Sequence, residues 1–295
     1  NLICAEKIVR ETSPTVANSF ISFDYDMDGR KEYIVHRNDY NAFISQCGGL
    51  IFELDLMSNA KNYCDTMRRI PFYDGVMDVY PKKLFVDHLI DFDHFESFKN
   101  EISTMSAVFS QVVYTETFFE RSRKELILTA NALFGILQQP VTLRKKFVFA
   151  DNGIKVQYIL KNDSPLPLKC FFAVESNLSF SSHDENKLSI EIIADENKEK
   201  VISNQNFVRD SGISLIQFTD ICEKNNFIFE ANEEAGTSIQ SVYITRPING
   251  KTEKTYQATA SCFFWKIDIP PSYELEKTIF LSISAKKKSV KSLKK

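Results

Sequence analysis

Residues 23–69 read FDYDMDGRKEYIVHRNDYNAFISQCGGLIFELDLMSNAKNYCDTMRR, and this stretch determines the fold class. Apolar and polar residues alternate around Glu32–His36, Asn41–Gln46 and Leu50–Leu56. A period of two places successive side chains on opposite faces, so the pattern predicts half-buried strands. Gly48-Gly49 separates the last two runs, and glycine's tolerance of positive φ predicts a turn there. The stretch therefore predicts an antiparallel sheet.

Strand-like segments continue from Gln111 to near the end of the chain. They are rich in β-branched and aromatic residues, and turn signals such as Asp151-Asn152-Gly153 and Asn162–Pro165 separate them. The predicted strands are Gln111–Phe118, Glu125–Gln138, Thr142–Phe149, Gly153–Leu160, Leu168–Phe180, Lys187–Ile193, Ser214–Asp220, Asn226–Ala231, Ser238–Ile244, Tyr256–Ile267 and Lys277–Ser284. A run of strands without intervening helices predicts an all-β fold, a large antiparallel β-sandwich.

Three segments depart from this pattern. Leu2–Glu11 carries apolar residues at helical spacing, which predicts a short amphipathic helix. His94–Ser103 predicts one or two helical turns. Arg68–Asp93 has no regular period and is interrupted by proline and glycine, so it is predicted to be a structured loop of the kind that contacts a ligand or partner.

Composition limits the function classes. With 295 residues, 43% of them hydrophobic, and 25 phenylalanines against 9 glycines, the chain can bury a large aromatic core. The net charge of −3 gives no general attraction to nucleic acid, and no apolar run is long enough to cross a bilayer. The G-x-S-x-G, P-loop and G-x-G-x-x-G motifs do not occur, which argues against the enzyme classes that they mark.

Six cysteines are scattered without a C-x-x-C pair or a spacing typical of zinc. In a chain with this much core, that usage predicts reduced, buried thiols and a cytoplasmic location. Asn1 is not an initiator methionine and no signal peptide follows it, so we expect the chain to be part of a longer protein. The lysine-rich residues Lys286–Lys295 are predicted to be a basic, disordered tail.

An acidic loop of the pattern D-x-D-x-D-G begins at Asp24. Carboxylates at alternate positions around a tight turn can wrap Ca²⁺, a cation that prefers oxygen ligands. Val35 stands where an EF-hand has its twelfth-position ligand, so a helical EF-hand is excluded. The ligands expected of a shorter calcium loop are the side chains of Asp24, Asp26, Asp28 and Glu32 and the carbonyl oxygen of Arg30. The alternative is an acidic hairpin whose Asp side chains accept hydrogen bonds from their own backbone amides.

The four histidines show no spacing typical of a metal site. Asp87 precedes His88, and two acids precede His94, an arrangement that can tune a general acid or base. The alternative is an ordinary packed or surface histidine.

The opening stretch resembles a known family. The acidic loop, the G-G turn, the strand ending in E-L-D, an Asn before D-T and a paired Arg resemble the C-terminal β-sandwich of the 4-α-glucanotransferases and α-amylases of glycoside hydrolase family fifty-seven. The matching positions are Asp24, Asp26, Asp28, Gly29, Glu32, Gly48, Gly49, Glu53, Leu54, Asp55, Asn62, Asp65, Thr66, Arg68 and Arg69. Phe171–Leu178, and Tyr256-Gln257 before Trp265, resemble the family more weakly. The chain departs from the family at Pro71 and Asp74, where the family has Glu and His.

The resemblance implies a galactose mutarotase-like sandwich without chemistry of its own. Residues 1–13 would be a linker helix from an absent N-terminal catalytic (β/α)7 barrel, and residues 14–285 the sandwich. The family's nucleophile and acid belong to that barrel, so no catalytic residue is expected here. Residues expected to contact the barrel or the substrate, an α-glucan or maltooligosaccharide, are Arg68, Arg69, Tyr73, His88 and Glu175. Nucleic acid and membrane are not expected as partners.

Aromatic side chains such as Tyr73, Tyr80 and Trp265 are candidates for stacking on sugar faces. Two alternatives remain open. One is a stand-alone sugar epimerase of the mutarotase type that uses a His and a Glu as acid and base. The other is an autonomous carbohydrate-binding or adhesion module.

Overall fold

The computed structural model describes residues 2–12, 18–69, 77–103, 108–248 and 251–285. The elements are α1 (Leu2–Thr12), β1 (Phe20–Phe23), β2 (Glu32–His36), β3 (Tyr40–Ser45), β4 (Leu50–Leu56), β5 (Lys61–Asn62), β6 (Leu84–Ile90), α2 (Phe92–Glu101), β7 (Thr115–Glu120), β8 (Glu125–Phe134), β9 (Gln139–Ala150), β10 (Gly153–Asn162), β11 (Leu168–Leu178), β12 (Leu188–Ala194), β13 (Asn197–Val201), β14 (Phe207–Asp220), β15 (Asn225–Ile248), β16 (Lys251–Ile269) and β17 (Glu274–Ala285). Every pairing between these strands is antiparallel. The predicted all-β class is confirmed.

The strands form two facing layers. In the first layer, β1, β2, β3, β4, β6, β11 and β16 lie side by side. In the second layer, β7, β8, β9, β10 and β17 follow one another, and β12 and β13 extend the far edge. Ring contacts between the layers show that they face each other. The ring centroids of Tyr158 in β10 and Phe172 in β11 are 5.6 Å apart, and those of Phe149 in β9 and Phe20 in β1 are 5.5 Å apart.

Two long strands belong to both layers. Residues 225–231 of β15 pair with β17 in the second layer, and residues 236–248 pair with β16 in the first. The change of layer passes Gly236, where a Cβ atom would lie 2.0 Å from the ring of Phe264. β14 changes layer beside it, with a break in register between Arg209 and Ile213. This hairpin makes one continuous sheet of the two layers.

The main core fills the space between the layers. Alternate residues of β9 illustrate why it forms: Val141, Leu143, Phe147 and Phe149 are buried, as period two requires of one strand face. Phenylalanine supplies much of this core, as the composition predicts.

The outer face of the first layer carries both helices. Helix α2 begins at the N-cap Asp91, whose side chain accepts a hydrogen bond from the backbone N–H of His94. Its residue Phe95 stacks on Phe171 of β11 and meets Phe264 of β16 edge to face. Helix α1 lies on the other half of the same face.

Several predicted elements need correction. Leu84–Ile90, predicted to be part of a loop, is strand β6, and all seven of its residues are buried. A strand covered on both faces shows no alternation of apolar and polar residues, so its period was hidden. Asn226–Ala231 and Ser238–Ile244, predicted as separate strands, are two parts of β15. Predicted helix Leu2–Glu11 is present as α1.

The cysteines form no disulfide, and Cys64, Cys170 and Cys262 are buried, whereas Cys4 and Cys222 are exposed. The expectation of buried thiols therefore holds for part of the set. Neither described helix has the length and apolar character needed to cross a membrane. The predicted basic tail lies outside the described residues.

Candidate functional site

Glu175 is the centre of a buried polar cluster on the outer face of the first layer. Its Oε1 accepts hydrogen bonds from Lys82 Nζ at 2.9 Å and Asn177 Nδ2 at 2.8 Å. Its Oε2 accepts one from Tyr80 OH at 2.8 Å and lies 3.0 Å from His88 Nε2. We call these five residues the Glu175 cluster.

Strand periodicity brings the cluster together. Glu175 and Asn177 are two positions apart on β11 and therefore share a face. His88 on β6 pairs with Ala173, one step along that face, so its ring reaches the carboxylate diagonally. Lys82 and Tyr80 come from the segment that leads into β6.

The electrostatics favour an ionised Glu175. Burial alone would raise the pKa of Glu175, but the ammonium of Lys82 and the imidazole of His88 lower it to about 2. Lys82 Nζ also donates to the carbonyl of Ile102, at the end of α2, and lies 3.4 Å from Asp78 Oδ1. A negative carboxylate with this many donors is held in a fixed geometry.

The cluster is closed to solvent. The side chains of Lys82, His88 and Glu175 are all fully buried. Two aromatic rings cover the imidazole of His88. The ring of Phe98 in α2 lies 5.3 Å from the imidazole, and the ring of Tyr80, in the segment before β6, lies 4.7 Å from it. In this arrangement the acid and the imidazole are not available to a sugar.

This burial corrects four expectations. His88 and Glu175, predicted to contact substrate or partner, are fully buried beneath α2 and the segment that leads into β6. Tyr80 is fully buried and Trp265 is 6% exposed, so neither presents a free ring face for a sugar. For His88, Glu175 and Tyr80 the physical reason is α2, which the sequence placed only as a helical turn or two and which covers this half of the sheet. Trp265 is buried instead in the main core between the two layers.

A second buried ion pair lies on the opposite face of β6. Lys145 Nζ is 2.8 Å from Asp87 Oδ2 and donates to the carbonyl oxygens of Gly49 and Phe85. Tyr114 OH donates to the same carboxylate at 3.2 Å. Burial lowers the pKa of Lys145 and raises that of Asp87, while their mutual attraction opposes both shifts. The pair ties β9 to β6 across the core.

The paired arginines have different surroundings. Arg69 forms a two-pronged salt bridge with Asp78, with Nε–Oδ2 at 2.9 Å and Nη2–Oδ1 at 2.8 Å. Asp78 in turn contacts Lys82, so Arg69 joins the edge of the Glu175 cluster. Arg68 is exposed. Tyr73 lies outside the described residues.

The acidic loop brings three of its predicted ligands together. Asp24, Asp26 and Asp28 each offer a carboxylate oxygen within 4.8 Å of the others, and all three are exposed. Glu32 does not join them: it is buried, and its Oε2 accepts a hydrogen bond from the backbone N–H of Tyr25 at 2.9 Å.

The same carboxylates also accept local backbone hydrogen bonds. Asp24 accepts one from the N–H of Gly29 at 3.0 Å, and Asp28 accepts one from that of Arg30 at 2.8 Å. A carboxylate has enough lone pairs to accept such a bond and still ligate a cation. The residues fit both the calcium loop and the self-capped hairpin.

A third polar cluster lies under α1. Arg10 is 9% exposed and donates to Asn41 Oδ1, to the carbonyl of Arg37 and to Glu6. Asp55, across from Asn41 on β4, shares a hydrogen bond with Glu53. Burial, then the charge of Glu53, raises the pKa of Asp55 to about 8, which favours the protonated acid.

The sequence carried signals for some of these residues. Lys145 stands at an inward position of β9, between Leu143 and Phe147, where period two predicts an apolar residue. A charge in that position indicates a buried partner. Nothing local marks Lys82, because its burial depends on α2 and β11, which are distant in sequence.

The architecture defines a fold class, the large antiparallel two-layer sandwich of galactose mutarotase-like proteins. A galactose mutarotase-like protein from Lactobacillus casei superposes with a TM-score of 0.59 at 8% identity, over 86% of this chain and 100% of that one. A putative aldose 1-epimerase from Escherichia coli superposes with a TM-score of 0.55 at 10% identity, over 86% of this chain and 99% of that one. At these identities the likeness shows the fold alone.

A longer protein shares the fold more fully. The 4-alpha-glucanotransferase from Thermococcus litoralis superposes with a TM-score of 0.71 at 17% identity, over 94% of this chain and 41% of that one. This chain thus spans less than half of that protein. Residues 24–72 and 75–279 match the family described as alpha-amylase/4-alpha-glucanotransferase, C-terminal, and the chain belongs to that family. No curated protein matches it in sequence.

Proposed function

We propose that this chain is the non-catalytic C-terminal β-sandwich of an α-glucan-acting enzyme, a 4-α-glucanotransferase or an α-amylase. It packs on the catalytic (β/α)7 barrel of the same cytoplasmic protein and helps to shape the cleft for an α-glucan or maltooligosaccharide. The observation that carries the proposal is the family match over both segments of the sandwich. The six cysteines without a disulfide support the cytoplasmic location.

The geometry of the Glu175 cluster supports a role without chemistry. Glycoside cleavage needs two carboxyl groups that flank an accessible glycosidic bond. Here the carboxylate of Glu175 is fully buried and already bonded to Lys82, Asn177 and Tyr80. The cluster therefore fixes β6, β11 and α2 relative to one another.

The test compares residues 1–295 with the complete polypeptide that contains them. Conversion of maltoheptaose to shorter and longer glucans is expected only with the complete polypeptide. Turnover by the isolated chain would overturn the proposal. So would full activity of a polypeptide from which residues 18–285 have been deleted.

The mutarotase alternative has one observation in its favour, the 3.0 Å approach of His88 to Glu175. Polarimetry of freshly dissolved α-glucose tests it. A rate above buffer that His88→Asn abolishes would establish an epimerase, whereas we expect no rate above buffer. Micromolar binding of maltoheptaose to the isolated chain would instead favour an autonomous binding module.

The acidic loop is proposed to hold a structural Ca²⁺, supported by the convergence of Asp24, Asp26 and Asp28. Calcium at a concentration about a hundredfold above its dissociation constant should add about 2.7 kcal/mol to the free energy of unfolding. Thermal melts with CaCl₂ and with EDTA measure this difference, and Asp26→Asn should remove most of it. Identical melts for the unaltered chain in both buffers would leave the self-capped hairpin as the correct description.

A further inference from the structure

Helix α1 lies on the sandwich with its polar side inward. Arg10 is 9% exposed and bonds to Asn41, and Lys7 Nζ donates to the carbonyl of Ser58 at 2.9 Å. The apolar side faces outward instead: Leu2 is 85% exposed, Ile8 62% and Val9 48%. An amphipathic helix normally buries its apolar stripe, so this orientation leaves a stripe without a partner in the described structure.

A row of aromatic side chains lies on the same sheet face. Successive rings of Phe23, Tyr25, Phe43 and Phe52 are 6.0, 5.5 and 5.9 Å apart. Phe23 and Tyr25 are each 44% exposed. Ile21 of β1 adds a further exposed apolar side chain beside them, at 36%.

The strand register places the helix and the aromatic row next to each other. Asn41, which Arg10 of the helix contacts, and Phe43, which belongs to the row, are two positions apart on β3 and share the outer face. We call the combined surface of Leu2, Ile8, Val9, Ile21, Phe23 and Tyr25 the junction face.

We propose that the junction face is the contact surface for the domain that precedes this one in the same polypeptide. This inference rests on the proposed function and names the side of the sandwich that meets the catalytic domain. The family match describes a C-terminal domain and begins at residue 24, so α1 precedes the matched part in the chain, at the end where a preceding domain would join. The solved 4-alpha-glucanotransferase has more than half of its length outside the matched part.

The fixed position of α1 supports this occupant. Buried contacts from Arg10 hold the helix to the sheet, so its apolar stripe is already oriented for a partner. Another exposed apolar group, Leu133, Ile136 and Leu137, lies at the β8–β9 hairpin of the second layer. That group provides a matched control because it is equally apolar and belongs to the other layer.

Hydrogen–deuterium exchange of residues 1–295, alone and within the complete polypeptide, tests the proposal. Backbone amides of α1 and Phe20–Phe23 are expected to exchange at least about tenfold more slowly in the complete polypeptide, because a covering domain suppresses local opening. The double variant Ile8→Ser/Tyr25→Ser should lose this protection in the complete polypeptide. The control Leu133→Ser/Ile136→Ser should keep it.

The possible outcomes separate this inference from the proposed function. New protection confined to the β8–β9 hairpin would overturn the junction face while leaving a packed neighbouring domain in place. No new protection anywhere would overturn both. Light scattering that shows the isolated chain as a dimer, with α1 already protected, would overturn the proposal in favour of a second copy.

Discussion

Lys82 and Glu175 show what a buried charge does for this fold. Replacing Lys82 by Met would leave the carboxylate of Glu175 buried without its main counter-charge. We expect a loss of about 3–5 kcal/mol in the free energy of unfolding, the usual cost of breaking a buried pair. Urea denaturation measures it. The double variant Lys82→Met/Glu175→Gln should lose less than the sum of the single variants, because neither charge is then left alone.

An exposed pair gives the control for that experiment. Lys169 and Asp268 form a salt bridge of 3.1 Å, with both side chains more than half exposed. Lys169→Met should change the free energy of unfolding by no more than about 1 kcal/mol. Equal losses for Lys82→Met and Lys169→Met would mean that the Glu175 cluster does not stabilise the domain.

Asp55 should make stability depend on pH. Its pKa in the folded chain, about 8, lies above the ordinary value of 3.8, so folding favours the protonated acid. The stabilising contribution is complete below about pH 4 and is lost as pH rises towards 8. Asp55→Asn should therefore gain stability relative to the unaltered chain over that range, by about 1–3 kcal/mol.

Chemical denaturation at pH 5 and pH 8 measures the gain. Asp39→Asn is the control, because it removes an acid that is exposed in the neighbouring hairpin. A stability difference between Asp55→Asn and the unaltered chain that stays constant between the two pH values would show that Asp55 is ionised throughout.

The elements were predictable where one face of a strand meets water. Alternation revealed β2, β3 and β4 and most strands after Gln111, and the Gly48-Gly49 turn has the expected positive φ at both residues. β6 was missed because both of its faces are covered, one by the main core and the other by α2. For the site, the sequence identified His88 and Glu175 as candidate site residues. It did not reveal that they are buried, because their burial depends on α2.

Gly236 decides whether β15 can pass from one layer to the other. A Cβ atom there would lie 2.0 Å from the ring of Phe264 and 2.5 Å from the carbonyl oxygen of Asp210. Gly236→Ala should therefore cost about 2–3 kcal/mol, a typical overpacking penalty. Gly135→Ala is the control: its φ is +68° but no atom lies within 4 Å, so about 1 kcal/mol is expected from backbone strain. Equal costs in thermal melts would contradict the crowding at Gly236.

At the scale of the whole molecule, the two layers share strands as well as a core. β14 and β15 contribute residues to both layers, and the pair of Lys145 with Asp87 joins β9 to β6 between them. Neither layer can separate without breaking the hairpin of β14 and β15. The sequence indicated one domain from its length and core, but the sharing of strands depends on long-range pairing that no local pattern reveals.

This sharing predicts that the layers unfold together. Trp265, the single tryptophan, is packed in the first layer against Phe172 and Phe263, so its fluorescence reports on that layer. Hydrogen exchange of amides in β8 and β9 reports on the second. In urea, both signals and far-ultraviolet circular dichroism should share one midpoint, because strands common to both layers couple their stability. Gly236→Ala should shift all three midpoints equally. Loss of protection in β8 and β9 at a lower urea concentration than the tryptophan transition would show two separable layers.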